Sequence, residues 1–251
     1  MIKHVSKFVF GSILFFTFLS VNAQENLEDI AIGFYRTIHS EIMNEDRLLY
    51  VHLPEGYDDS TESYPVVFQL YAHFLYAYFL PTVRSVERFG KHGKTPKMIV
   101  VGIKNFEFRY RDLLPEDHYG AKSEIDHFLR FIKDELIPFV DRNYRTKNYR
   151  ILSGPQAGAS FGIVAMAKHP DLFNALILSN PFWIESSRKT LINLFSNAIK
   201  HYNYSEKSLM ISYDIEEDPD AITTLNEFSK LLKTAGNSSP KYFLHQLAPD
   251  F

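Results

Sequence analysis

Five residues, Gly154-Pro155-Gln156-Ala157-Gly158, stand between a β-rich run (Tyr149 to Ser153) and a run with helical character (Ala157 to Lys168). A second apolar run, Phe173 to Leu178, follows. Small residues around a sharp strand-to-helix turn are what the G-x-S-x-G nucleophile elbow needs, because they let a strained backbone lift one side chain above the sheet. Here the lifted residue is Gln156. A carboxamide has no O–H for a base to take, so it is no activated oxygen nucleophile. Pro155 also lacks a backbone N–H and restricts the residue before it. The frame of an elbow is present without its nucleophile.

A second frame, Gly158-Ala159-Ser160-Phe161-Gly162, satisfies the bare G-x-S-x-G pattern. Reading the turn there displaces the helix start and makes Ser160 a displaced nucleophile; otherwise Ser160 is a packed or solvated residue of the first helical turn. Other chemistry has little to stand on. The ten histidines form no H-x-x-x-H pair, and no glycine loop suits a phosphate. The chain has no cysteine, which excludes disulfides, thiolate metal sites and a lipoprotein anchor. No metal or cofactor is expected. His118 and Asp117, in a long charged loop, read as solvated.

The elements around the turn come from composition and periodicity. Lys3, His4 and Lys7 precede an apolar run from Phe8 to Val21, and Val21-Asn22-Ala23 offers a cleavage site before Gln24. Residues 1–23 are therefore expected to be a signal peptide and 24–251 one exported domain, periplasmic or extracellular, with no stable membrane anchor after cleavage. Without Lys3 and Lys7 the basic count falls from 27 to 25 against 30 acidic residues, a net of −5. That balance argues against nucleic acid or an anionic membrane as partner.

Residues 31 to 53 read as a β-hairpin turning at Met43 to Asp46. YPVVFQLY (Tyr64 to Tyr71) and KMIVVGI (Lys97 to Ile103) read as strands buried on both faces. The segment between them is expected to be partly helical after Pro81. Ser123 to Asp141 has apolar residues at helical spacing, with Ser123 as N-cap. Helices over Glu185 to His201 and Asp220 to Thr234 alternate with strands over Ser208 to Tyr213 and Lys241 to Leu247. Such alternation predicts an α/β fold with a mainly parallel sheet in three layers.

In order and spacing, HSEIMNEDRLLYVHLPEGYDDSTESYPVVFQL, KTPKMIVVGIKN, RYRDLLP, FLRFIKDELIPFVDRNYRT and RILSGPQAGASFGIVAMAKHPDLFNALILSNPFW resemble the putative-esterase branch of the α/β-hydrolases. That group contains esterase D, enterochelin esterase and feruloyl esterase relatives. The resemblance implies a three-layer α/β-hydrolase fold and, in active members, ester hydrolysis through an acyl-enzyme. A serine attacks, a histidine serves as base and then acid, a carboxylate orients it, and backbone N–H groups hold the oxyanion.

Carried over residue by residue, the nucleophile position holds Gln156, and Pro155 replaces the usual histidine before it. Oxyanion donors fall at Ala157 and, where an Asp-Gly turn is usual, at Ala72 in Leu70-Tyr71-Ala72-His73. The acid falls best on Glu217, beside Glu216 and Asp218, against the reading of a plain solvated loop. The base belongs after the last strand, where Ala248 to Phe251 hold no histidine; His245 lies within the strand. Trp183 and His73 fall at the ester pocket, though a core tryptophan fits Trp183 equally. The family's last helix has no counterpart, which would leave one sheet face near the last strand without cover. The resulting expectation is an esterase-family homologue without serine-hydrolase activity, keeping a small-molecule ester or acyl ligand. The alternative is an active carboxylic-ester hydrolase in which Ser160 works with His73 or His245.

Overall fold

The computed structural model describes residues 32–214 and 219–247. The expected leader, Glu216, Glu217, Asp218 and residues 248–251 lie outside them. Eight strands form one sheet: β1 (Phe34–Ser40), β2 (Glu45–His52), β3 (Tyr64–Gln69), β4 (Ile99–Ile103), β5 (Thr146–Pro155), β6 (Ala175–Ser179), β7 (Ser208–Tyr213) and β8 (Lys241–Gln246). Their order is β1-β2-β4-β3-β5-β6-β7-β8. The β1–β2 and β2–β4 pairs are antiparallel and every later pair is parallel. The helices are α1 (Leu80–Lys91), α2 (Arg109–Leu113), α3 (Ile125–Arg130), α4 (Ile137–Asn143), α5 (Ala157–Lys168), α6 (Glu185–His201) and α7 (Pro219–Thr234).

This is the expected three-layer architecture, with corrections of detail. The hairpin turns over residues 41–44, with Asn44 at φ 51°, a conformation asparagine tolerates better than most residues. Helical structure begins before Pro81, in a π-helical turn at Leu75–Phe79 that runs directly into α1, with Pro81 as the second residue of α1. Ser123 is not the cap of α3. Glu124 holds that position, and the Ser123 hydroxyl donates instead to the Leu114 carbonyl at 2.6 Å. A π-helical turn, Phe131–Leu136, joins α3 to α4.

The two sheet faces are covered unequally. Residues from α2 to α7 pack with the sheet into the main core, while α1 covers a smaller cluster around Val67, Val100 and Ile151. β3 and β4 are buried on both faces, but β6 and β7 alternate. On the α1 side, Ile177, Met210 and Phe243 are 44%, 39% and 59% exposed. Parallel strands normally read as continuous hydrophobic runs because helices cover both faces. Here the strands far from α1 have their second face bare among the described residues.

The antiparallel hairpin is held to the parallel half by a buried ionic cluster. Arg47 on β2 is 1% exposed and Asp112 on α2 is 0% exposed; Nη1 and Oδ2 lie 2.8 Å apart. Arg47 also reaches Glu45 (2.5 Å), and Arg111 joins both carboxylates at 2.6 and 2.8 Å. The rings of Phe108, Phe128 and Phe131 stand within 5.8 Å of the Arg47 guanidinium. Burial pushes the Asp112 carboxyl up, and the two guanidiniums oppose that push. Asp112→Ala would leave a buried cation short of its partner. The expected loss in urea unfolding is about 3–5 kcal/mol; a loss below about 1 kcal/mol would mean that the pair behaves as a surface pair.

Candidate functional site

The turn after β5 adopts the strained geometry that the glycine pattern predicts. Gln156 has φ 50° and ψ −117°, between the end of β5 at Pro155 and the start of α5 at Ala157. Such a conformation costs a non-glycine residue of order 1–3 kcal/mol and survives only where its surroundings enforce it. The enforcement is visible. The Gln156 N–H donates to Ser179 O at 2.7 Å, and its carbonyl accepts from the Ser160 N–H at 2.9 Å. A Cβ at Gly154 would stand 3.0 Å from the Gly158 carbonyl carbon, and one at Gly158 would stand 3.2 Å from Leu70 Cβ. Glycine at both positions lets α5 press against β5 and β3. Gln156 itself is half-buried, with an amide that can both donate and accept.

Ala157 opens α5, so its N–H is one of the unpaired first-turn donors of that helix. The donor expected at Ala72 is already spent, because its N–H bonds Ile103 O at 3.2 Å. Tyr71 likewise donates to Asn105 Oδ1 at 3.0 Å. With Tyr71 at φ 61° in place of an Asp-Gly turn, the chain after β3 folds back on β4 rather than presenting these two amides.

Ser160 is fully buried, and its hydroxyl donates to Pro181 O at 2.6 Å. It ties α5 to the chain after β6 instead of opening onto solvent. His245 lies on the bare face of β8. The register Pro155–Ser179–Ser212–His245 puts it three strand steps from the elbow, roughly 14 Å. Glu217 falls outside the described residues. Asp214, which the sequence reading passed over, is described: it directly follows β7, and its N–H donates to Asn180 Oδ1 at 2.8 Å. The available signal was its place at a strand's carboxyl end.

Trp183 and Asp214 line a hollow with Tyr213 and Leu225 that holds about 20 Å3, room for about one water. The carbons of an ester ligand do not fit there. A larger groove of about 460 Å3 lies on the α1 side, reaching Gly154 and Pro155 at the base of the elbow. Val67, Gln69, Thr82, Phe89, Ile177 and Ser212 are among its lining residues, none of which carries a charged side chain.

His73 joins an aromatic rim. Its ring centroid lies 4.1 Å from Phe74, 4.6 Å from Phe106 and 5.4 Å from Tyr71. Arg109 stands 4.1 Å over Phe106 and 4.3 Å over Tyr110, extending the rim to His118 and Tyr119. Both ring nitrogens of His73 are buried without a hydrogen-bond partner among the described residues. Burial, helped by the positive charges of Arg109 and Lys104, brings its pKa down to about 4. A histidine held neutral so far down is a weak base.

Two measurements follow. Gln156→Gly removes the backbone strain and is expected to raise unfolding free energy by about 1 kcal/mol, strain relief being partly offset by glycine's entropy. No change would mean that the Gln156 side chain compensates through contacts of its own. For His73, the unfolded chain binds more protons between pH 4 and pH 6.5, so stability falls as pH drops through that window and is full above it. His73→Phe should flatten this slope relative to the parent chain; an unchanged slope would show that the ring nitrogens are hydrated in solution.

Residues 40–241 match the family model described as "Putative esterase". Among curated proteins, an uncharacterized protein of Bacillus subtilis (strain 168), YjcH, is 28% identical over 148 residues, covering 57% of this chain and 59% of the relative. The ferri-bacillibactin esterase BesA of the same organism is 27% identical over 162 residues, 55% of each chain. The matches thus span less than two thirds of either relative. The solved structure of an IroE-like serine hydrolase from Shewanella oneidensis superposes with a TM-score of 0.75 at 21% identity, covering 87% of this chain and 74% of that one. With the strand order, the strained turn and a family match over most of its length, this chain belongs to the putative-esterase family of α/β-hydrolases.

Proposed function

We propose that the chain is an exported esterase-family protein that binds a small-molecule ester or acyl ligand at the elbow and does not hydrolyse it. One observation carries this: a carboxamide stands in the strained conformation of the nucleophile position. The Gln156 amide can donate to a ligand carbonyl oxygen beside the Ala157 N–H, holding an ester as a serine enzyme would but with no atom to attack it. The rings of His73, Phe74 and Phe106 supply faces for a planar acyl group. A named relative, the ferri-bacillibactin esterase, supports a small-molecule ester as the class of ligand. The alternative with Ser160 as nucleophile is disfavoured by the burial of its hydroxyl and its bond to Pro181. Export rests on the leader-like residues 1–23; among the described residues no helix is long and apolar enough to cross a membrane.

The test pairs turnover with binding. A short-chain nitrophenyl ester should not be hydrolysed above background by the chain, by Ser160→Ala or by Gln156→Ser, which restores a hydroxyl without a base. Methyl ferulate should raise the melting temperature of the chain and not of Gln156→Ala. Turnover abolished by Ser160→Ala would overturn the catalytic half of the proposal, and the lack of any shift would overturn the binding half. An exported product beginning at Gln24 is expected on N-terminal sequencing; retention of Met1 would refute cleavage.

A further inference from the structure

Arg109 is held in place as a binding group would be, but without an anion. Its guanidinium carbon stands 4.1 Å over the Phe106 ring and 4.3 Å over the Tyr110 ring. Nη1 donates to Phe106 O at 2.8 Å and Nη2 to Tyr110 Oη at 3.3 Å. Three of its five N–H groups are left without a partner among the described residues. Nor does any carboxylate among those residues lie within ion-pair distance of it. Arg111, two residues on, meets Glu45, Asp112 and Glu124, and the acid nearest in sequence, Glu107, pairs with Lys104 at 3.7 Å. A guanidinium already restricted by stacking loses little further freedom when it takes a ligand.

A run of aromatic contacts leads from the elbow to this arginine. A Cβ at Gly158, in the first turn of α5, would stand 3.4 Å from Tyr71 Cδ2, so the Tyr71 ring lies beside the turn that carries Gln156. From Tyr71 the rings of His73 and Phe106 follow at centroid spacings of 5.4 and 4.6 Å, and Arg109 caps Phe106. The charge is felt along the run. Burial pushes the Tyr71 phenol up and His73 down, and the Arg109 cation pulls both down. Lys104 adds to the field at His73 and Glu107 offsets it, which leaves Arg109 as the uncompensated charge of the rim. The rim is also open, with Phe74 and Phe106 both exposed.

We infer that Arg109 determines specificity for a ligand bearing an oxyanion on a planar ring, the anion seated on the unused N–H groups of the guanidinium. The inference rests on the elbow as a ligand site and adds what the elbow does not select, the charge of the ligand. A carboxylate or a phosphate fits a guanidinium fork through two parallel N–H···O bonds. The rings of His73 and Phe106 offer contact area to any aromatic group, acidic or neutral. Discrimination between the two therefore falls to Arg109. Arg109 is half-buried, so the pair forms partly out of water, and an acid should outrank its neutral counterpart by about tenfold.

NMR titration of the purified chain with ring acids and their neutral counterparts tests this. Benzoate is expected to bind about tenfold tighter than benzamide at low salt, with the gap narrowing as salt is added. Phenyl phosphate, titrated alongside, shows which oxyanion the fork prefers, and either acid outranking benzamide supports the inference. Arg109→Met keeps the stem without the fork and should bring both acids down to benzamide. Arg109→Lys keeps the charge without the fork and should fall between. Circular dichroism confirms that both variants fold. Methyl 4-carboxycinnamate, with an acid and an ester at opposite ends, should bind tighter than benzoate, and Gln156→Ala should remove that advantage. Acids that bind no better than benzamide, or a preference that survives Arg109→Met, overturn the inference. If benzoate depends on Arg109 while the ester-bearing acid gains nothing over it, the anion site stands and the ester reading of the elbow falls.

Discussion

The contact on which the site depends is the approach of α5 to the sheet at glycine positions. A Cβ at Gly154 or Gly158 would stand 3.0 to 3.2 Å from its neighbours, and one at Gly162 would stand 2.5 Å from Leu178 Cδ2. These three glycines, four residues apart, seat a helix whose residues from Ala157 to Met166 are all buried. Once α5 is seated, the turn has no freedom left, and Gln156 is held at positive φ from both sides. Packing alone is thus enough to enforce the turn, whichever side chain stands in it. The same glycines account for the second serine-containing frame: Gly158 and Gly162 are packing positions, and Ser160 between them faces the core.

Other residues placed at the site by the resemblance make local structural contacts. The Tyr71 and Ala72 amides bond Asn105 and Ile103, Ser160 bonds Pro181, and Trp183 stands beside a hollow of about 20 Å3. Each of these groups would otherwise be a buried polar atom or an open cavity, and each has found a local partner instead. Two features stay open: the aromatic rim around His73 and the uncharged groove beside α1.

Much of the fold was legible in the sequence. Periodicity marks α6 and β7 at their observed bounds, because burial there follows one stripe or one face, and a continuous run of small and apolar residues marks α5, which is buried all round. The elbow was legible because glycine spacing encodes a steric demand. Less could be read where a residue's use depends on a partner distant in the chain. Ser123 looks like a helix cap until its hydroxyl meets Leu114, and Ala72 looks like a free donor until β4 lies beside it. The start of helix before Pro81 was missed because Leu75–Phe79 has no capping residue to announce it. Asp214 was overlooked because nearby acidic residues fit the family spacing better.

The buried pair of Arg47 and Asp112 joins two parts of the chain that fold by different rules. The β1–β2 hairpin pairs residues close in the chain, whereas Asp112 is supplied by α2, beyond β3 and β4. Asp112 buried without Arg47 is heavily penalised. The pair therefore couples the stability of the hairpin to that of the parallel half: a change that loosens α2 is felt on β2, far earlier in the chain.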